Sequence, residues 1–530
     1  MRISSQLTAF VANLTGRFAN STAEPVPDHI AKSMEFCRDV QDPKENSKGY
    51  PPANEQLRTH AIWIVEAYPP SEVARLVAAL DALGGDSWRA NGGERPAEWV
   101  LKARNQVRGW GGGLNLGYFV PTGATGYVGV EYRVNLPAGI KYVRAGLHQL
   151  LPSVTMGVFC FVLEEGSQLE RAVEDSLRQT YATVPEKIGA TRWRFHTPSN
   201  LRVAAAVKTR GELRAVCETW VGATLPGFFA PSRGRSGFTC EYITTVAQPL
   251  FERVVDDDGK PAHEVPSCEW LWSLHLDSPI DAWTSVHLEG LRLGYSYVNE
   301  TAPYAWVIGG KVDDILANDE LTKMTRERTR GAIVGRIVLG LDNDLAILGL
   351  ATFIREISAQ LAQLRDQTGR ISINNGQQSA ADLMKLQTRF TALSTDLLPI
   401  IDEVELFTEQ GPRWPRSPDD DFIRLHEDLR KHGGLLANVR QDLREHSKRL
   451  RLLSTSLRES LAVAASALHA NIQAESAAQN LSLQKAMRRL TVVALGIAAL
   501  TIFIALPDAI DDWKAFLPRL IRRLAAWGGG

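Results

Sequence analysis

The sequence contains little cysteine and no strong excess of charge of either sign. Its five cysteines (Cys37, Cys160, Cys217, Cys240 and Cys268) are scattered along 530 residues, and no two of them have two-residue spacing. This pattern argues against a disulfide framework and against a zinc site, and it favours a reducing compartment. The net charge is −1 at pH 7, so no global field attracts nucleic acid. We therefore expect no nucleic-acid partner.

Recognisable catalytic motifs are also lacking. The sequence has no Gly-x-Ser-x-Gly elbow and no His-Glu-x-x-His. Residues 109–117 are glycine-rich but have no Gly-Lys-Ser/Thr ending, which favours a flexible loop over a phosphate site. Residues 256–258 are acidic but do not have the spacing of an EF-hand. The sequence predicts no enzyme and no certain cofactor, and a divalent cation is the one candidate cofactor.

One candidate metal site combines two histidines with two carboxylates. His275 and Asp277 alternate on one face of a predicted strand, and His287 and Glu289 follow at the same spacing. Such side chains can ligate a transition metal. Paired cross-strand surface residues explain the pattern as well, so both interpretations stay open.

A signal peptide is not recognisable at the start, because residues 1–18 contain no long apolar run. We therefore expect the N-terminal bulk to stay in the cytoplasm.

The length predicts two or three domains. After an N-terminal extension over residues 1–57, residues 58–335 have the pattern of an α+β (or α/β) domain.

This domain contains one clear strand–helix unit. Residues 61–65 read as a buried strand, and Pro69-Pro70-Ser71 begins a helix that Gly84 ends. Further strands are predicted at 125–134, 154–163 and 273–277, a helix at 167–181 and an Asp-Gly hairpin at 250–265. The strand order cannot be read from the sequence.

The second half reads as helix almost throughout. A two-helix hairpin is predicted over 343–408, with helices at 344–366 and from Ser379 to about Phe407. Ser379 marks the start of the second helix, and Asp382 three residues on gives a weaker version of the capping box. A loop rich in proline and aspartate follows at 409–421, and then a stalk helix at 422–489. A helix of this length would extend roughly 100 Å and needs partners along its length. We therefore expect a homo-oligomer with coiled-coil character.

Residues 490–507 contain no charge and are long enough to cross a bilayer. The predicted membrane anchors are Arg488 and Arg489 before the segment, Trp513 after it and Trp527 in the tail. The alternative is a buried core helix. Residues 508–530 predict a basic amphipathic helix at the lipid surface, or else a frayed tail. We expect one span in the inner (plasma) membrane, with the side that holds the tail undecided.

One face of the last helix is small or polar and could line a pore. Carboxylates in a ring at one mouth favour cations, whereas small residues at this spacing also allow membrane helices to pack closely. The pore-facing candidates are Asn480, Gln484, Met487, Thr491, Ala494, Ala498, Thr501, Ala505 and Asp508.

Acidic residues form a second cluster at the end of the hairpin and in the loop. They could concentrate divalent cations, or they form a solvated tip. The candidates are Asp402, Glu403, Glu405, Glu409, Asp419, Asp420 and Asp421.

The order of these parts resembles the CorA-type divalent-cation channels. The shared order of parts is an α/β domain, two antiparallel helices, a very long helix and a span beginning KAMRRLTVVALGIAALTIF. The match itself covers only the helices and the span, about residues 345–507. In that family, helices from five subunits form a funnel that continues into the pore. The family's Gly-Met-Asn motif and second span are absent here, so no selectivity residue carries over.

The resemblance implies a bacterial homo-oligomer, pentameric in that family, that lies in membrane lipid and passes or senses cations. The alternative is a membrane-tethered sensor or scaffold without transport activity. In that case the α/β domain binds a ligand or a protein partner that the sequence does not identify.

Overall fold

The computed structural model describes residues 27–84, 94–105, 112–123, 131–188, 192–230, 237–252, 269–277, 282–296, 305–317, 330–370, 376–410, 422–425 and 434–527. At residues 269, 296, 330–333, 336–340, 376–380, 410, 503–512 and 524–527 it describes the backbone alone. Contacts divide the chain into two compact units. The first contains residues 1–362 and 391–454, and the second contains residues 363–390 and 455–530.

The helices and strands are numbered along the chain. The helices are α1 (Asp28–Phe36), α2 (Asp42–Gly49), α3 (Val73–Ala82), α4 (Pro96–Asn105), α5 (Gln168–Leu177), α6 (Pro198–Thr224), α7 (Glu269–Trp272), α8 (Val312–Leu316), α9 (Arg330–Arg370), α10 (Gly376–Gln410) and α11 (Leu435–Trp527). The strands are β1 (Arg58–Tyr68), β2 (Gly112–Pro121), β3 (Glu131–Val134), β4 (Ile140–Leu151), β5 (Val154–Leu163), β6 (Val184–Lys187), β7 (Trp193–His196), β8 (Phe238–Thr245), β9 (Ala282–Ser285), β10 (Arg292–Ser296), β11 (Ala305–Lys311) and β12 (Phe422–Arg424).

Ten strands form one mixed sheet in the order β12-β9-β10-β11-β8-β1-β5-β4-β2-β3, and β6 and β7 form a separate pair. Most neighbours are antiparallel, while β2–β3 and β8–β11 are parallel. Every residue of β5 is buried, as is every residue of β1 except Arg58. Such continuous apolar runs fit central strands that are covered on both faces.

Helices cover the two faces of this sheet. On one face, Trp220 of α6 packs edge-on against Phe119 of β2 and Phe161 of β5. On the other face, Gly349 of α9 lies directly over Val65 and Met156. The missing side chain at 349 allows the helix backbone to approach the strands closely.

The α9 helix also explains an apolar segment in the middle of the chain. Leu341–Arg370 is long and apolar enough to cross a membrane by length and composition, but 67% of its most apolar window is buried inside the protein. Phe353 packs edge-on against Phe228. Because these contacts already surround it, we interpret this segment as a core helix.

The broad prediction is confirmed: a mixed α/β region with a large sheet precedes a helical region with a long helix. Residues 154–163 form the predicted strand β5, and Ser167 caps α5 through its side chain. The predicted strand–helix unit is β1 and α3, where Gly84 has a positive φ of 85° after the last turn.

Several local predictions differ from the structure. Residues 422–424 form edge strand β12 and not the start of the stalk helix, because they pair with β9; the helix begins at Leu435. Residues 273–277 form a turn and not a strand, with His275 at a φ of 55°. Gly112 already belongs to β2, so the glycine-rich segment is partly strand.

The remaining helix boundaries are wider than predicted. The first hairpin helix extends over Arg330–Arg370, and the second begins at Gly376, before the predicted cap at Ser379. Most of the predicted hairpin at 250–265, and residues 124–130, lie outside the described residues.

Candidate functional site

Residues 490–502 of α11 form an exposed helical segment with apolar side chains on every side. All residues from Ile472 to Ile502 are exposed. Leu490, Leu495 and Leu500 are 68%, 64% and 64% exposed. They lie five residues apart, so they point in three different directions at 100° per residue. A helix that is apolar all round belongs in a protein core or in a lipid bilayer.

Charged and aromatic residues flank this apolar part. Arg488 and Arg489 precede it on the exposed helix, and Trp513 follows at 61% exposure, with its ring 6.4 Å from that of Phe516. Leu517, Leu520 and Ile521 are also exposed. The side chain of Trp527 lies outside the described residues. Arginine and tryptophan at the ends of an apolar helix are typical of membrane interfaces.

The pore-facing candidates lie along the same exposed helix. The side chains from Asn480 to Thr501 are exposed, whereas those of Ala505 and Asp508 lie outside the described residues. The Thr491 hydroxyl donates to the carbonyl of Met487 and the Thr501 hydroxyl to that of Ile497, both at 2.8 Å. Each hydroxyl oxygen therefore keeps acceptor capacity toward the outside of the helix.

The acidic candidates at the end of α10 have partners within the protein. One guanidinium, that of Arg451, lies 2.9 Å from Asp402 and 2.8 Å from Glu405. Glu403 accepts from both the backbone N–H (2.9 Å) and the hydroxyl (2.5 Å) of Ser153. Burial raises the pKa of Glu403, although these hydrogen bonds oppose the shift. Glu409 is exposed. Asp419, Asp420 and Asp421 lie outside the described residues.

The four metal candidates occupy two separate turns. His275 follows α7, with its ring 6.1 Å from Trp272, and burial lowers its pKa. Asp277 follows His275, while His287 and Glu289 lie in the turn between β9 and β10. Among the described residues, no group of three or more His, Cys, Asp or Glu side chains is arranged to hold a metal ion.

Sequence reasoning did not find two polar contacts that hold α9 and α10 in the first unit. Arg144 of β4 pairs with Asp342 of α9 at 3.2 Å, and both side chains are largely buried. Asp396 of α10 accepts from the backbone N–H (2.9 Å) and hydroxyl (2.7 Å) of Ser71. The Ser71–Asp396 partners are 325 residues apart, so no local sequence signal indicates the contact.

Sequence reasoning also did not find a groove within the second unit. This helix groove has a cavity volume of about 550 Å³ and lies between the end of α9, the first part of α10 and α11. Its lining includes Arg365, Gly369, Leu383, Ser460, Val463 and Ala467.

Comparison with known proteins found no family model and no curated protein that matches this chain.

Proposed function

We propose that this protein is a homo-oligomeric, membrane-anchored sensor or scaffold. One C-terminal helix holds it in the inner (plasma) membrane, and the mixed α/β region lies in the cytoplasm, where it binds a ligand or a protein partner. The observation that carries this proposal is the exposed helix that is apolar on every side between Leu490 and Ile502. In aqueous solution, water would contact all of this apolar surface, which is unfavourable. In a membrane, lipid would cover it.

Self-association forms the second part of the proposal. Residues 472–502 of α11 are exposed, so the helix gains no packing there from the part of its chain that the structure describes. Tertiary or quaternary packing supplies most of the stability of helices in proteins. Other copies of the chain supply that packing up to the membrane surface, in the layout of the CorA-like funnel.

The anchor is tested with the full-length chain in its native membranes. We expect the wild-type chain to remain in the pellet after an alkaline carbonate wash. The Leu495→Arg variant should be released, because arginine at the centre of a span costs about 2.5–3.5 kcal/mol. Gln479→Arg, on the exposed helix before the span, is the matched control and should remain. Release of the wild-type chain would contradict the anchor.

Cation passage is a second candidate, favoured by the outward acceptor capacity of Thr491 and Thr501. In a parallel ring this face would turn inward, and Asp508 would lie near one mouth. We expect cation flux in liposomes with the wild-type chain and reduced flux with Asp508→Asn. If neither protein conducts, cation passage is contradicted and the sensor or scaffold function, without transport, remains.

A further inference from the structure

The helix groove continues into a regular stripe of small and apolar residues on α11. This α11 stripe comprises Val463, Ala467, Ala470, Ala474, Ala477 and Leu481, which recur at alternating intervals of four and three residues. Val463 and Ala467 also line the groove. Alternation of three and four is the spacing of a coiled-coil contact face. The groove and the stripe therefore form one continuous surface within the second unit.

This surface adjoins the face of α11 that is already buried, and Leu383 and Leu468 of that buried face also line the groove. Leu457, Leu461 and Leu468 are buried within the second unit, together with Leu383 and Leu386 of α10. Leu468 comes one residue after Ala467, which places it about 100° further round the helix. By contrast, Val463 is 69% exposed and Leu481 is 57% exposed. Beyond the groove, the α11 stripe is thus an exposed apolar face that the described parts of α9 and α10 do not cover.

The charge pattern favours contact between copies of the same helix. Between Glu459 and Lys485 the only formally charged residue is Glu475, counting histidine as neutral. Like-charge repulsion therefore hardly opposes association along the stripe. In the groove, Arg365 and Glu459 supply opposite charges on α9 and α11. In a parallel assembly, Arg365 and Glu459 of one copy lie at the same level along the helix axis as the same two residues of the neighbouring copy.

We propose that the occupant of this surface is the α11 helix of a second copy, packed in parallel along the α11 stripe with its Ser456–Val463 part against the helix groove. The inference rests on the proposed function, because anchoring in one membrane from one side makes all copies parallel. Alanine at most stripe positions lets neighbouring helix axes approach closely, since the interaxial distance depends on the side chains at the contact. The stripe thereby defines the interface that joins neighbouring copies.

Cysteine cross-linking in native membranes tests the interface. The background chain carries Cys37→Ser and Cys268→Ser, because Cys160, Cys217 and Cys240 are buried. Ala474→Cys places a thiol on the stripe, and the matched control Ser476→Cys places one on nearly the opposite side; both positions are exposed. With a mild oxidant we expect roughly ten-fold more disulfide-linked dimer for Ala474→Cys, because adjacent thiols have a high effective concentration.

A second pair of variants tests the same face without oxidation. We expect Ala477→Glu to reduce the assembled fraction in detergent, measured by mass photometry, and Ser476→Glu to leave it unchanged. An assembly that cross-links equally or better through Ser476→Cys, or that tolerates Ala477→Glu, would overturn the stripe while leaving the anchored oligomer intact. A wild-type chain that is monomeric in detergent, together with no cross-linked dimer from either cysteine variant in membranes, would overturn the oligomer as well.

Discussion

Arg144 and Asp342 form the ion pair that joins β4 to α9, and His148 lies on the same strand. Burial raises the pKa of Asp342 to about 6, although the positive charge of Arg144 opposes the shift. Burial lowers the pKa of His148 to about 4, and the charge of Arg144 contributes in the same direction. At the residue scale, the stability of the contact between β4 and α9 therefore depends on pH through the protonation of Asp342 and His148.

The first residue-scale prediction concerns the Asp342→Asn variant. At pH 8 the change should lower the free energy of unfolding by about 3 kcal/mol, because it removes one partner of a largely buried ion pair. The loss should grow as the pH falls through 6 toward 3.8, because the wild type gains stability there when the Asp342 carboxyl takes up a proton, which asparagine cannot do. Urea unfolding at several pH values measures this. Asp382→Asn, in an exposed pair with Lys385, should cost less than about 1 kcal/mol. Equal losses in the two variants would contradict the prediction.

The second residue-scale prediction concerns pH and His148. Its folded-state pKa lies below the usual 6.5, so its contribution to stability is complete above pH 6.5 and is lost as the pH falls toward 4. Asp342 acts in the opposite sense, because its contribution is lost as the pH rises from 3.8 through 6. We therefore expect His148→Gln to gain stability relative to wild type between pH 6.5 and 4, by at most about 1.4 kcal/mol per pH unit. A pH-independent difference would contradict this.

At the scale of elements, α9 has two glycines in contrasting surroundings. A Cβ at Gly349 would overlap the side chain of Val65 and lie 3.2 Å from Met156. At Gly335, no described atom lies within 4 Å of the corresponding position. The sequence alone does not distinguish these two glycines, because both occur within the same helical segment.

The element-scale prediction compares alanine at these two positions. Gly349→Ala should reduce the free energy of unfolding by about 1–3 kcal/mol, because α9 must move away from the sheet. Gly335→Ala should instead stabilise the protein by about 0.5–1 kcal/mol, since alanine is the better helix former. Thermal and urea unfolding measure both. Stabilisation by Gly349→Ala would show that α9 does not approach β1 as closely as described.

Edge strand β12 shows how far local patterns predict elements. The helix periodicity in α3 and the apolar run in β5 were sufficient because each element follows its own sequence pattern. Residues 422–424 have no such pattern: they become a strand because β9 offers an open edge, and Arg424 stacks 4.2 Å over the ring of Trp283. The sequence therefore predicted α3 and β5, but not β12 or the strand order.

At the scale of the whole molecule, the exposed end of α11 separates the thermal stability of the chain from its membrane binding and self-association. Residues 472–502 are exposed, so they add no buried area to the first unit. Removing residues 471–530 should therefore leave the thermal unfolding midpoint of the remaining chain within about 2 °C of the full-length protein, since apolar burial is the main stabilising term. The shortened chain should also be soluble and monomeric by light scattering. A shortened chain that still pellets with membranes would contradict this.

The candidate site was predictable only in its local parts. The apolar segment from Leu490 and its flanking arginines follow directly from the order of residues. The helix groove does not, because Arg365 and Ser460 belong to different helices and come together only through folding. The same holds for the Ser71–Asp396 contact, whose partners are hundreds of residues apart.

The sequence by itself determined which stretches are apolar and which are helical, because periodicity and hydropathy are properties of neighbouring residues. It did not determine which apolar helix is enclosed. Leu341–Arg370 is mostly buried, whereas Leu490, Leu495 and Leu500 are exposed on three sides. Only the tertiary structure decided this, because burial depends on surfaces that distant segments supply, and the sheet covers α9 while no described part of the chain covers the end of α11.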